Sequence, residues 1–193
     1  KLPVLFDNEI TIHDSTSIIR HLEKIQIKPK LIPDDPKEAS QVQIIENWAD
    51  TTLAKSIKIV FLEELIKNPL LISSLFNNEI SHSMQKLFVD FPLSIASQIS
   101  GLINQAEKES LKLNLKYLTK LIEKENFIVG KKISIADISV ASQLSLLNFP
   151  NSSGKNLKGK GCSIYLNDPS LKNLFRWRDS IEAQLITANT PES

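Results

Sequence analysis

The chain has 193 residues, a formal net charge of +1, 41% hydrophobic residues and a single cysteine, Cys162. This length predicts one or two domains with a sizeable core, and the balanced charge gives no electrostatic sign of a nucleic-acid partner. No apolar run approaches the roughly 20 residues that span a bilayer, so no membrane partner is expected. The lone cysteine excludes an internal disulfide and favours a reducing compartment, most simply the cytoplasm.

The chain begins with the pattern of a β-hairpin. Two short apolar runs, residues 2–6 and 9–12, are separated by Asp7-Asn8, and these residue types tolerate the positive φ of a two-residue turn. Pro3 would interrupt a central strand, so it fits better beside an unusual peptide bond, such as a cis one.

A helix is predicted next, because Asp14 or Ser15 can cap its start and three aliphatic residues follow at helical spacing. The segment after it contains three prolines before residue 37 and is interpreted as a linker. These patterns divide the chain into residues 1–24, a linker over 25–36 and a helical region over 37–193.

The helical region opens with a long predicted helix that runs from Lys37 to Lys67 and is stopped by Asn68-Pro69. Its apolar stripe recurs at steps of three and four residues and consists of Val42, Ile45, Ala49, Leu53, Ile57 and Val60.

The rest of the chain is predicted to be helices joined by loops. One or two short helices are expected over residues 70–105, with a break near Phe91-Pro92, and another helix is expected to end at Gly130. A compact helix over 135–147 and a polar loop over 148–169 precede the final helix, whose apolar positions include Leu171, Leu174, Trp177, Ile181 and Leu185.

The clearest local motif is the sequence Ile133-Ser134-Ile135-Ala136-Asp137-Ile138. Ser134 and Asp137 can form a capping box, with Ile133 and Ile138 as its hydrophobic staple. The motif predicts a helix start without chemistry of its own, and its loss is predicted to cost about 1 kcal/mol.

Other chemical candidates are weak. The three histidines, His13, His21 and His82, lack the spacing of metal ligands, so no metal site is predicted. The lysine-rich GKNLKGKG segment lacks the context of a phosphate-binding loop, and Cys162 has no neighbouring histidine or predicted helix start to lower its pKa.

Taken together, three segments resemble the cytosolic glutathione transferase family, as found in bacteria. KLPVL resembles the strand that ends in the cis-proline of that family, and HDSTSIIRHL resembles the acidic-serine start of its third helix. FIVGKKISIADISVASQL resembles the capping box of its helical domain. The resemblance implies an α+β, mainly helical fold, in which part of a thioredoxin-like domain (the hairpin and one helix) precedes an all-helical C-terminal domain. The front of the thioredoxin-like domain is expected upstream of Lys1.

The resemblance also implies a binding site for glutathione. Its cysteinyl unit would pair with the backbone of Leu2 before Pro3, and its γ-glutamyl end would be held by Asp14 and Ser15. Lys1 is placed to reach the glycyl carboxylate. A serine at the positive end of a helix dipole suits a carboxylate, and a neighbouring acidic side chain suits an ammonium group. Asp14 departs from the glutamate that the family usually has.

The expected activity is transfer of the glutathione thiolate to a small hydrophobic electrophile, by a homodimer. The family's catalytic Tyr, Ser or Cys lies near the start of the thioredoxin-like domain, so the catalytic residue is expected upstream of Lys1. The alternative function is a non-catalytic module of the same fold that binds protein partners.

Overall fold

A computed structural model of the protein describes residues 3–25, 30–75 and 102–188. The predictions on Lys1, Leu2, His82 and the Phe91-Pro92 break lie outside these residues. The elements are a two-stranded hairpin and eight α-helices within the described ranges: β1 (Val4–Asp7), β2 (Ile10–His13), α1 (Ser15–Ile25), α2 (Pro36–Trp48), α3 (Ala54–Lys67), α4 (Pro69–Leu75), α5 (Leu102–Ile122), α6 (Ile135–Leu144), α7 (Ser163–Leu166) and α8 (Lys172–Ala188). The predicted fold class, a hairpin and helix before a helical domain, is confirmed.

The hairpin is antiparallel, and its register pairs Val4 with His13 and Asp7 with Ile10. The turn therefore consists of Asn8 and Glu9, one residue later than predicted. Asn8 has a φ of 52°, a left-handed conformation that asparagine adopts more readily than most residues. The imidazole Nε2 of His21 lies 2.7 Å from the Asp7 carboxylate, so α1 packs on the hairpin.

The predicted long helix exists as α2 and α3, joined by a π-helical turn over Ala49–Leu53. The backbone N–H of Ala54 bonds to the carbonyl of Ala49, five residues earlier. Residues spaced four apart do not stay on one face of a regular helix, because such a helix has 3.6 residues per turn. The π-helical turn has more residues per turn, so Ala49, Leu53 and Ile57 stay on one face, and all three are fully buried.

The core of the helical domain lies around α6, which packs against α2, the π-helical turn, α3 and α8. The side chains of α6 at Ile135, Val140 and Leu144 are buried, and its polar residue Asp137 is buried with them. α5 contributes Leu111, Leu115 and Leu118, spaced three and four residues apart on its inner face.

Two predicted helix ends are wrong, and so is the prediction of a loop over residues 148–169. α5 ends at Ile122 rather than at Gly130, because the chain turns from residue 123 onward, and α6 ends at Leu144. The segment over 148–169 is folded on itself and contains α7. Phe149 N–H donates to the Lys160 carbonyl at 2.7 Å, Gly159 N–H donates back to Phe149 at 2.9 Å, and the Lys160 ammonium reaches the Ser74 hydroxyl at 2.6 Å.

Candidate ligand site at the start of the first helix

The hairpin brings Pro3 beside the start of α1. Val4 pairs with His13 across the two strands, which places the residues next to them, Pro3 and Asp14, close together. The Asp14 N–H donates to the Pro3 carbonyl at 3.4 Å. The predicted site residues Pro3, Asp14 and Ser15 are therefore adjacent, whereas the predicted positions of Lys1 and Leu2 lie outside the described residues.

Asp14 caps α1 and keeps one carboxylate oxygen open. Its Oδ2 accepts from the N–H and the hydroxyl of Ser17, at 3.3 and 3.4 Å. Its Oδ1 has no hydrogen-bond partner within the described ranges. Asp14 also has a φ of 79°, a left-handed conformation that is costly for a residue with a side chain and is concentrated at functional positions.

Ser15 is exposed and presents unused donors. Neither its hydroxyl nor its backbone N–H has a partner in the described part of the chain, and the same holds for the N–H of Thr16. These N–H groups lie at the positive end of the α1 dipole. An anion such as a carboxylate could accept from them and from the Ser15 hydroxyl.

The side chain of Thr16 connects α1 to the helical domain. Its hydroxyl donates to Oε1 of Glu46 on α2 at 2.6 Å, and Glu46 is only 6% exposed. Sequence reasoning missed this pair. The available signal was a charged residue at position 46, between Val42 and Ala49 on the apolar stripe of α2.

Glu23, at the other end of α1, makes a second connection, because its carboxylate accepts from the backbone N–H groups of Leu31 and Ile32. Between these two attachments a cavity of about 500 Å³ separates α1 from α2, and Arg20 and Glu46 both line it. The Thr16 and Glu23 contacts thus hold α1 in place without using the open donors at its start.

Ser134 and Asp137 lie at the start of α6, away from this site, and form a capping box. The Asp137 carboxylate accepts from the Ser134 N–H at 2.8 Å and hydroxyl at 2.7 Å, and from the Ile128 N–H at 2.7 Å. Burial raises the pKa of Asp137, against the hydrogen bonds from Ile128 and Ser134, which lower it. These buried hydrogen bonds connect the start of α6 to the preceding loop.

Cys162 differs from the sequence-based expectation in one respect, because it precedes α7 directly, at the N-cap position. That helix has only four residues, and the thiol is fully buried. Burial, with smaller contributions from the charges of Glu64 and Glu63, raises the pKa of Cys162 to about 12. The thiol is therefore a poor nucleophile at neutral pH.

Within residues 3–25, 30–75 and 102–188, no group of three or more His, Cys, Asp or Glu side chains is arranged to hold a metal ion. Nor does any helix in these ranges have the length and apolar character needed to cross a membrane.

Residues 101–184 match the family model described as glutathione S-transferase, C-terminal domain. Among curated proteins, the chain is 21% identical over 151 residues to FtsZ-localized protein A of Caulobacter vibrioides. This match covers 76% of the chain and 56% of the relative, so the chain spans a little over half of that protein.

Solved structures that share the fold include the following two. The β-etherase LigF from Sphingobium sp. strain SYK-6 has a TM-score of 0.61 at 18% identity, covering 98% of this chain and 79% of that one. A glutathione S-transferase from Methylobacterium radiotolerans, solved in complex with glutathione sulfonate, has a TM-score of 0.52 at 18% identity, covering 98% and 71%.

Proposed function

We propose that the chain, whose residues 101–184 match the C-terminal domain of the glutathione S-transferase family, is a member of that family and binds glutathione at the start of α1. In the full-length protein, the bound thiolate is transferred to a small hydrophobic electrophile. We expect the reaction to occur in the cytoplasm, because a chain whose one cysteine is buried and unpaired suits a reducing compartment. The glutathione sulfonate complex of a protein with the same fold supports the choice of ligand.

The observation that carries the proposal is the set of open groups beside Pro3. The Ser15 hydroxyl and the first N–H groups of α1 donate hydrogen bonds to the α-carboxylate of the γ-glutamyl unit, and the free Oδ1 of Asp14 accepts from its ammonium group. The backbone of Leu2 pairs with the cysteinyl unit, and Lys1 reaches the glycyl carboxylate. The Pro3 carbonyl accepts from the Asp14 N–H and so keeps the residue before β1 beside the start of α1.

The chain's own residues bind and orient the tripeptide in this proposal. Activation of the thiol requires a donor that lowers its pKa, and the proposal assigns that role to no residue of this chain. The helical domain contributes rigidity, because Thr16 and Glu46 fix the first turn of α1 against α2.

Calorimetric titration of the full-length protein with glutathione tests the site. A charge-assisted hydrogen bond contributes about 1.5–3 kcal/mol, so Ser15→Ala should weaken binding roughly ten- to a hundredfold. Asp14→Ala should weaken it by a similar factor. Neither change should affect binding of cysteinylglycine, which lacks the γ-glutamyl unit.

Matched controls separate binding from helix capping. Asp35 caps α2 by accepting from the N–H groups of Lys37 and Glu38, as Asp14 caps α1, so Asp35→Ala should destabilise the protein without changing glutathione affinity. Ser142→Ala removes an exposed hydroxyl of α6 that bonds only to its own helix. If Asp14→Ala and Ser15→Ala, like these two controls, do not change the affinity for glutathione, then Asp14 and Ser15 only form the start of the helix.

The name of the curated relative, FtsZ-localized protein A, favours a second candidate function. In this alternative the chain is a module that binds a protein partner without catalysis. Glutathione turnover with an aromatic chloride as electrophile distinguishes the two. A full-length protein that binds no glutathione and consumes none supports the module.

A further inference from the structure

The cavity between α1 and α2 is bordered by one cation and one anion. Of the described residues that line it, only Arg20 and Glu46 are charged, and its volume of about 500 Å³ lies within the range of small-molecule sites. Thr16 and Arg20 lie four residues apart on one face of α1, and Gln43 and Glu46 lie three residues apart on one face of α2. Both helices therefore present polar side chains to the same open space.

Glu46 brings an unused carboxylate oxygen to this cavity. Its side chain is buried, and its Oε1 accepts from the Thr16 hydroxyl. Its Oε2 has no hydrogen-bond partner within the described ranges. A buried carboxylate is costly unless its oxygens accept hydrogen bonds. The open Oε2 therefore favours a ligand that brings a charged donor.

Arg20 has no partner either. Its guanidinium forms no ion pair with Glu46 or with any other acidic residue in the part of the chain that the structure describes. Arg20 is exposed at the cavity, and a guanidinium binds a carboxylate through two parallel hydrogen bonds. The cavity thus offers two separate charges of opposite sign.

Aliphatic side chains complete the lining. Ile32 precedes α2, Val42 belongs to α2, and Ile135 begins α6. Val42 and Ile135 are only 1% and 3% exposed, so the core of the helical domain fixes their positions. Apolar side chains combined with a few polar groups are the usual composition of a small-molecule site.

We propose that this cavity binds a free α-amino acid with an aliphatic side chain. The carboxylate of the amino acid binds the Arg20 guanidinium, and its ammonium group donates to Oε2 of Glu46. Its side chain contacts Ile32, Val42 and Ile135. A simple carboxylic acid leaves Oε2 without a donor, and a simple amine leaves the guanidinium without a carboxylate. The inference concerns a second small-molecule site and does not depend on glutathione binding.

Calorimetric titration of the full-length protein with L-leucine tests the site. Binding with a Kd below about 1 mM is expected. Isocaproate has the carbon skeleton of leucine without the ammonium group, and isoamylamine lacks the carboxylate. Each should bind roughly tenfold or more weakly than leucine, because each forgoes a charge-assisted hydrogen bond. Glycine should also bind more weakly, since it buries no aliphatic side chain.

Two conservative variants assign the two charges. Arg20→Gln should weaken leucine binding roughly tenfold or more and leave isoamylamine binding unchanged. Glu46→Gln should weaken leucine binding by a similar factor and leave isocaproate binding unchanged. The amide oxygen of this variant still accepts from the Thr16 hydroxyl, so circular dichroism should show an unchanged fold.

Two further variants test the position of the site. Ala39 lines the cavity on α2 and is half-buried. Ala39→Leu should therefore fill the space and abolish leucine binding while preserving the helix, because leucine is a good helix former. Arg176→Gln changes an exposed arginine on α8 and should bind leucine as the unchanged protein does.

The proposal is overturned if leucine does not bind, or if isocaproate binds as tightly as leucine. It is equally overturned if Arg20→Gln and Glu46→Gln keep the leucine affinity of the unchanged protein. Weaker leucine binding by Ser15→Ala, or competition between leucine and glutathione, would also overturn it. The amino acid would then occupy the proposed glutathione site rather than the cavity.

Discussion

Asp137 illustrates, at the scale of single residues, how a motif readable in the sequence acquires a larger role in the fold. The sequence predicts its bond to Ser134, which is local. The bond to Ile128 requires the loop after α5 to fold back over the start of α6, and nothing in the spacing of residues 123–134 indicates that path. The carboxylate therefore satisfies two buried backbone N–H groups rather than one.

We therefore predict a larger cost for losing this carboxylate than the sequence suggested. Asp137→Ala leaves the N–H groups of Ile128 and Ser134 buried without acceptors, at about 1–3 kcal/mol for each group. The unfolding free energy, measured by urea titration, should fall by about 2–6 kcal/mol. Asp35→Ala, at an exposed cap, should cost about 1 kcal/mol. Equal losses for the two variants would show that the Ile128 bond adds nothing.

Cys162 gives a second residue-scale prediction. Its pKa of about 12 in the folded protein, against an ordinary value of 9.0, suppresses the thiolate below pH 12. With a disulfide reagent at pH 8, the native protein should react roughly a thousandfold more slowly than the protein unfolded in guanidinium, from thiolate fraction alone. The unfolded rate should level off above pH 9, while the native rate keeps rising. Equal rates in the two states would contradict the buried position.

The first helix and hairpin show what sequence can predict of the candidate site. Asp14 and Ser15 follow from the capping pattern, and their proximity to Pro3 follows from hairpin geometry. The left-handed backbone of Asp14 and the Thr16–Glu46 bond could not be predicted, because both depend on how α1 is seated against α2.

At the scale of elements, helices were predictable where apolar residues recur, and their ends were not. The π-helical turn is an example. The apolar stripe from Val42 to Val60 is visible in the sequence, but its periodicity does not show at which residues the helix widens to keep the stripe on one face. The 148–169 segment was taken for a loop because it is rich in polar residues. Its order comes from backbone bonds between Leu147, Phe149 and the chain near Lys160, which leave no side-chain pattern.

Gly161 tests the importance of that folded segment. It has a φ of 150°, and an added Cβ would lie 2.2 Å from the Leu147 carbonyl oxygen. Gly161→Ala should lower the unfolding free energy by more than about 3 kcal/mol, since it combines an unfavourable φ with a backbone clash.

Gly159→Ala is the matched control for that variant. Gly159 also has a positive φ, 70°, but open space around it. Its substitution should cost only the conformational penalty, about 1–2 kcal/mol. Thermal unfolding of both variants gives the comparison, and an equal loss of stability would show that the close approach to Leu147 is unimportant.

At the scale of the whole molecule, we predict a homodimer. The resemblance implies that the hairpin and α1 of one subunit meet the long helices of the other, and Ile44 on α2 is 65% exposed. Trp48 and Ile59, also off the buried stripe, are half-buried. Light scattering at micromolar concentration should therefore give twice the mass of the chain. Ile44→Asp should weaken association roughly tenfold or more, whereas Ile164→Asp, at a position on α7 that is 75% exposed, should leave the dimer intact. A monomeric mass for the unchanged protein at that concentration would contradict the prediction.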